Sequence, residues 1–251
     1  MQLVAITALG IGGATVVGAL IGFCFKNIKE KWNDAILDFA AGIMLAAAVL
    51  GLILPSMEIA GKYGIWKTVV GIRAGALFLD LADKLTPHLH HLTGVKEEEH
   101  RNNAQLNKVM LFVMAIAIHN IPEGLAAGVG VGAGDTGNAV TVALGIALQN
   151  IPEGMVIISP MILSGISKKR TFVIALTTGL VEVLGTFVGY AAAGVSGALL
   201  PFALAFAGGT MLYVISDEMI PETHSHGYER LATYALIVGL IVMIVMDTLI
   251  G

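Results

Sequence analysis

Charge is scarce in this chain. Only 13% of its 251 residues are Asp, Glu, Lys or Arg, where a soluble globular chain carries about 25%. The charges that exist fall in short clusters, separated by apolar stretches of about twenty residues, the length that spans a bilayer core as helix. A soluble single-core protein is thereby excluded. Cysteine is nearly absent: Cys24 stands alone, so no intrachain disulfide can form, and it reads as apolar filler. There is no basic excess either. The net charge of −4 argues against nucleic acid as a partner. No phosphate-binding loop occurs, which argues against direct ATP coupling, and no His-Glu-x-x-His, the usual mark of a hydrolytic zinc protease. Nothing resembles a cleavable leader. The apolar run that opens at Gln2 is long enough to span and is expected to be the first membrane helix.

What is present is hydrophobic length and glycine. Hydrophobic residues make up 56% of the chain, and the mean hydropathy is +0.84. Thirty-one glycines suit close packing of membrane helices. Eight spans are predicted, near Leu3–Phe25, Ala35–Met57, Ile65–Leu85, Val109–Val131, Ala139–Leu163, Thr171–Ala193, Ala198–Ile220 and Leu231–Ile250. The fold class is all-α integral membrane, a single transmembrane domain over residues 1–251 in a lipid bilayer. The longest loop is predicted from Thr86 to Lys108 and holds His88, His90, His91, Glu97–Glu99 and His100.

Lysine and arginine set the orientation. The loops after spans one, three, five and seven hold eleven of them, from Lys26 to Arg230, against Lys62 and Lys67 on the other face. This predicts both termini outside a cell membrane and the His-bearing loop in the cytoplasm.

Two internal repeats appear. His119-Asn-Ile-Pro-Glu-Gly124 recurs thirty residues later as Gln149-Asn-Ile-Pro-Glu-Gly154. Phe39-Ala-Ala-Gly-Ile-Met-Leu45 recurs as Phe206-Ala-Gly-Gly-Thr-Met-Leu212. The second pair lies in spans of opposite direction. It predicts an inverted repeat of helices one to three and six to eight around a central pair, a 3+2+3 transporter plan with its site near the midplane.

That central pair carries the chemistry. Glu123 and Glu153 lie mid-span, where a carboxylate costs a few kcal/mol. Two of them in adjacent helices repel unless they share a proton or a cation. Spacing of four puts His119 on the face of Glu123, and Gln149 on that of Glu153. On a helical wheel each glutamate falls between its His or Gln neighbour and its Asn neighbour, Asn120 or Asn150, at roughly 40° and 60°. A glutamate so placed can bridge two adjacent cation positions. Pro122 and Pro152 free the carbonyls of Ile118 and Leu148, and Gly124 and Gly154 are expected to let the two backbones approach. Imidazole, carboxylate and amide without thiolate suit zinc and other first-row divalent ions that must also leave.

Other polar residues fit around this pair. Glu182, mid-span, is expected to face the site, with pairing to Arg73 as the rival reading. Met44 offers a thioether but by spacing reads first as packing. Asp217, Glu218 and Glu222 sit at the cytoplasmic end of span seven and read either as surface charge at a helix end or as an exit funnel, with His88, His90 and His91 in a loop that is either solvated or metal-capturing. His224 and His226 read as solvated or metal-catching, and Asp247 lies at the outer end of span eight, where cations would arrive. Arg73 and Asp80 have no evident role beyond pairing with other buried polar groups.

The duplicated motif resembles the signature of the ZIP (Zrt-, Irt-like protein) metal transporters, and glutamine opening its second copy is similar to the bacterial GufA-like branch. The resemblance covers the whole chain. It implies a binuclear metal centre with ligand roles for His119, Asn120, Glu123, Gln149, Asn150 and Glu153, and contributions from Met44 and Glu182. It also implies inward transport of zinc, with iron, manganese or cadmium as further cargo, and a homodimer. Gln149 stands where many members have histidine, which should weaken one ligand. Two rival classes remain: an intramembrane metalloenzyme, disfavoured by the missing protease motif, and a proton- or sodium-coupled carrier of a small anion, disfavoured by the lack of a deep cationic cluster.

Overall fold

The computed structural model describes residues 1–25, 28–92, 104–163 and 165–250, with side chains described throughout these except at 83 and 85–116. Every element among the described residues is helical. In chain order they are α1 (Gln2–Cys24), α2 (Glu30–Ala46), α3 (Leu54–Leu92), α4 (Ala104–Gly132), α5 (Thr136–Leu163), α6 (Lys168–Val195), α7 (Leu200–Val214), α8 (Ile220–Thr223) and α9 (Glu229–Ile250). Wider π-helical turns at Ala47–Ile53 and Ile215–Met219 join α2 to α3 and α7 to α8. Such turns are rare and cluster at functional sites.

Six helical runs among the described residues are long and apolar enough to cross a membrane. One of them, Glu30–Ala82, contains 53 residues, about 80 Å if straight, far beyond the about 30 Å of a bilayer core. It covers two of the sequence-derived spans. The connector expected between them is reduced to a break at Gly61, whose φ of 62° and ψ of −179° leave the helix. Nothing crowds the place of a Cβ there, so backbone conformation rather than space calls for glycine. The loop expected from Thr86 to Lys108 is also shorter than predicted. Helix α3 runs to Leu92 and α4 begins at Ala104. Of the residues placed in it, Glu97–Glu99 and His100 lie outside the described residues, as do the side chains of His88, His90 and His91.

Glycine decides which helices pair. Gly18 and Gly22 on α1 lie against the carbonyls of Ile151 and Met155 on α5. Gly128 and Gly189 bring α4 and α6 together in the same way, at Thr186 and Leu125. Gly75 seats α3 against Phe206 of α7, and Gly42 seats α2 against Leu236 of α9. In the α1–α5, α4–α6 and α3–α7 pairs the contacts advance together along both chains, so those helices run parallel. Small-residue stripes of this kind allow the backbone approach that drives helix association in lipid. Gly124 and Gly154 obey the rule but not the expectation. Gly124 meets the Glu182 carbonyl on α6, and Gly154 meets the Thr15 carbonyl on α1. They join the central helices to α6 and α1, not to each other.

The apolar core gathers Met44, Leu52, Leu79, Ile146, Leu204 and Met211 between these pairs. Large apolar side chains also cover the outside: Tyr234, Ile237, Ile241 and Val245 of α9 are all exposed. An exposed apolar belt over helices whose backbone bonds are internally satisfied is what a lipid solvent requires.

Candidate metal site

Three glutamates meet inside the helical assembly. Glu123 of α4 and Glu182 of α6 are wholly buried, and Glu153 of α5 is 8% exposed. They lie within electrostatic range of one another. Around them stand the buried amides Asn120, Gln149 and Asn150.

Glu182 is the hub. Its Oε1 accepts from Thr15 Oγ1 at 2.6 Å and from Asn120 Nδ2 at 2.7 Å. Its Oε2 accepts from Asn150 Nδ2 at 2.5 Å. One side chain thereby ties α1, α4, α5 and α6 together. Arg73 is not its partner; that guanidinium is on an exposed residue of α3. Glu123 Oε1 accepts from Gln149 Nε2 at 2.7 Å. Asn150 Nδ2 also reaches the carbonyl of Ile11 at 3.2 Å.

The amide groups are thus spent as donors to carboxylates, and their oxygens are left over. Asn120 Oδ1, Gln149 Oε1, Asn150 Oδ1 and Glu123 Oε2 are buried and have no hydrogen-bond partner. An unmet buried acceptor costs about 1–3 kcal/mol, and native interiors hold few of them. Three amide oxygens and one oxygen of Glu123, all buried around the three carboxylates, are thus left without a positive partner. In this arrangement no group of three or more His, Cys, Asp or Glu side chains among the described residues is set to hold a metal ion.

His119 takes a different direction from the one its spacing suggested. Its Nε2 lies 2.6 Å from Glu218 Oε2, on the π turn after α7, so it links the central pair to the end of α7 rather than to Glu123. Asp217 beside Glu218 is exposed, and Asp247 on α9 is half-buried. Met44 is fully buried in the apolar core with Ile146 and Met211, and no described contact joins it to the carboxylates. Asp80 is not a buried partner of anything deep: it pairs with Lys84 at 2.7 Å near the surface and accepts from Tyr213 at 3.4 Å. Thr15 was missed in the sequence, where a threonine in an apolar run reads as filler. The available signal was its offset of 167 from Glu182, the offset of the Phe39 and Phe206 repeat.

A family model described as "ZIP Zinc transporter" matches residues 87–247. The chain is 39% identical to "Zinc transporter GufA" of Myxococcus xanthus, over 98% of each chain. It is 36% identical to "Zinc transporter ZIPB" of Bordetella bronchiseptica, covering 95% of this chain and 78% of that one. It is 31% identical to "Zinc transporter ZIP11" of Homo sapiens, covering 95% of this chain and 94% of that one.

Proposed function

This chain belongs to the ZIP zinc-transporter family, and we propose that its cargo crosses the membrane through the α4–α5 network. It is a multi-pass membrane transporter of zinc and related divalent ions, and not an enzyme. The observation that carries the site is the four partnerless oxygens, three from amides and one from Glu123 itself, gathered around Glu123, Glu153 and Glu182. A divalent cation is the partner that satisfies them together once the amides have turned.

Loading follows from the amide geometry. Rotation of the Asn120, Gln149 and Asn150 carboxamides turns their oxygens inward and withdraws the NH₂ donors from Glu182 and Glu123. The carboxylates are then released to the ion. Two groupings are already present: Glu123 with Gln149, and Glu182 with Asn120 and Asn150. We assign one ion to each, with Glu123 and Glu153 between them and Met44 turning in as a thioether ligand. Oxygen and imidazole donors suit zinc, and a thioether favours softer ions such as cadmium.

The helix pairings support the 3+2+3 plan of eight spans. Exchanging α1 with α6, α2 with α7, α3 with α9 and α4 with α5 turns the α1–α5 pair into α6–α4 and the α2–α9 pair into α7–α3, both of which occur. The two π turns fall at matching places in the two halves. A repeat of this kind serves alternating access around a fixed central site. With the basic face in the cytoplasm, the ion arrives past Asp247 and leaves through His119, Glu218 and Asp217 towards His88, His90 and His91.

The test is cellular. Cells lacking their own zinc importer gain zinc when they express this chain, and gain none with Glu123→Ala present at equal level in the membrane. Equal zinc content with the two chains would remove Glu123 from the path. A fall in zinc content with the unsubstituted chain would reverse the direction.

A further inference from the structure

A second cluster of chemistry-bearing residues lies away from the central network, at the start of α2 and the turn between α8 and α9. His226 projects from that turn, where Gly227 takes a φ of 84° and lets the chain fold back on α2. Its Nδ1 lies 3.1 Å from Asp34 Oδ1. Asp34 is 1% exposed, and its other oxygen has no partner. A carboxylate accepts, so the imidazole proton sits on Nδ1 and the Nε2 lone pair points away from Asp34. There it faces two further carboxylates, Glu30 Oε1 at 3.7 Å and Glu222 Oε1 at 4.0 Å.

This is the order of parts in a carboxylate–histidine–metal arrangement. A buried acid holds one ring nitrogen, fixes the tautomer and raises the basicity of the other. Ligand atoms around a tetrahedral zinc lie about 3.3 Å apart. As the side chains stand, no three acids or histidines among the described residues are set to hold an ion, so the site closes only when the two glutamates, each more than half exposed, turn in towards Nε2.

The architecture does not call for these charges. Shifted by the repeat offset of 167, Asp34, Asp38, Thr223 and His226 correspond to Pro201, Ala205, Ser56 and Ile59. At that opposite corner Ser56 Oγ donates to the Pro201 carbonyl at 2.6 Å and pairs with Thr68. At this corner Thr223 donates to Asp38 at 2.6 Å. The same helix junction is therefore closed by neutral groups at one end and by acids with histidines at the other. Packing alone accounts for the first corner and leaves the second unexplained.

We infer that His226, Glu30 and Glu222, oriented through Asp34, form a second divalent-cation site, separate from the central network. His224 stays outside it: its Nδ1 meets the Ile220 carbonyl at 2.9 Å and its Nε2 meets Thr233 at 3.1 Å. Glu222 follows Glu218 by one helical turn, so the site stands next on the line that leaves the centre through His119 and Glu218. The site binds its ion whether or not the central network is the route.

The experiment is cadmium binding to the full-length purified chain carrying Glu123→Ala/Glu153→Ala, which disables the central network. The inference expects a single cadmium still bound. Adding His226→Ala, a partly exposed position that should not disturb folding, removes it. Adding Glu30→Gln/Glu222→Gln removes it as well, while Asp34→Asn weakens it about 10- to 100-fold. No cadmium on the parent variant with helix content intact, or retained cadmium indifferent to His226→Ala, would overturn the inference. Neither result touches uptake by the unsubstituted chain, which tests the central route on its own.

Discussion

Thr15 and Glu182, one on α1 and one on α6, stand 167 positions apart and touch at 2.6 Å. Their separation equals the offset between the Phe39 and Phe206 segments, yet one carries a hydroxyl and the other a carboxylate. The donor on α1 orients the acid on α6. Thr15→Val keeps the shape and removes that donor. Loss of an orienting group beside a metal-binding carboxylate costs about 10- to 100-fold in affinity. Zinc competition against a fluorescent chelator should show that loss with the protein still folded. Unchanged affinity would make Thr15 a packing residue only.

Gly124 meets the carbonyl of Glu182 itself. Gly124→Ala pushes α6 away from α4 and displaces the hub. Overpacking of this kind costs about 1–3 kcal/mol and should lower the unfolding temperature in detergent along with uptake. Gly130→Ala is the control, since its nearest neighbour, Ala139 Cα, lies at an ordinary 4.0 Å. Equal effects from the two would detach the network from the α4–α6 approach.

Gln149 is wholly buried and donates to Glu123. Gln149→His exchanges a weak amide oxygen for imidazole, a better ligand for zinc. Competition of cadmium against zinc uptake should move towards zinc. An unchanged ratio would place residue 149 outside the ligand set.

Met44 tests the softest part of the assignment. Met44→Leu conserves volume, and such exchanges usually cost less than about 1.5 kcal/mol. It removes sulfur alone. Cadmium uptake should fall more than zinc uptake, with thermal stability held. If both rates stand, Met44 belongs to the apolar core and nothing more.

The central acids and amides were legible in the sequence because a duplicated polar motif inside two apolar runs has few physical explanations. Glu182 was legible for the same reason, as a charge with nowhere to go but inward. What the sequence concealed depends on how helices face one another. Helical spacing places His119 beside Glu123, but it does not contain the π turn after α7, whose Glu218 draws the imidazole away. Gly124 and Gly154 announced close approach without saying to which neighbour. Glu58, Gly61 and Lys62 marked a connector between Met57 and Ile65, but not that it would shrink to a break at Gly61 alone. His226 and Asp34 are 192 positions apart, and no local pattern joins them.

The central claim rests most directly on metal uptake into proteoliposomes by the chain as it stands and by Glu123→Ala/Glu153→Ala. The account predicts time-dependent uptake of zinc and cadmium by the first, and by the double variant a rate no higher than that of liposomes without protein. Uptake by the double variant at the unsubstituted rate would contradict it, since the ions would then be crossing somewhere other than between α4 and α5.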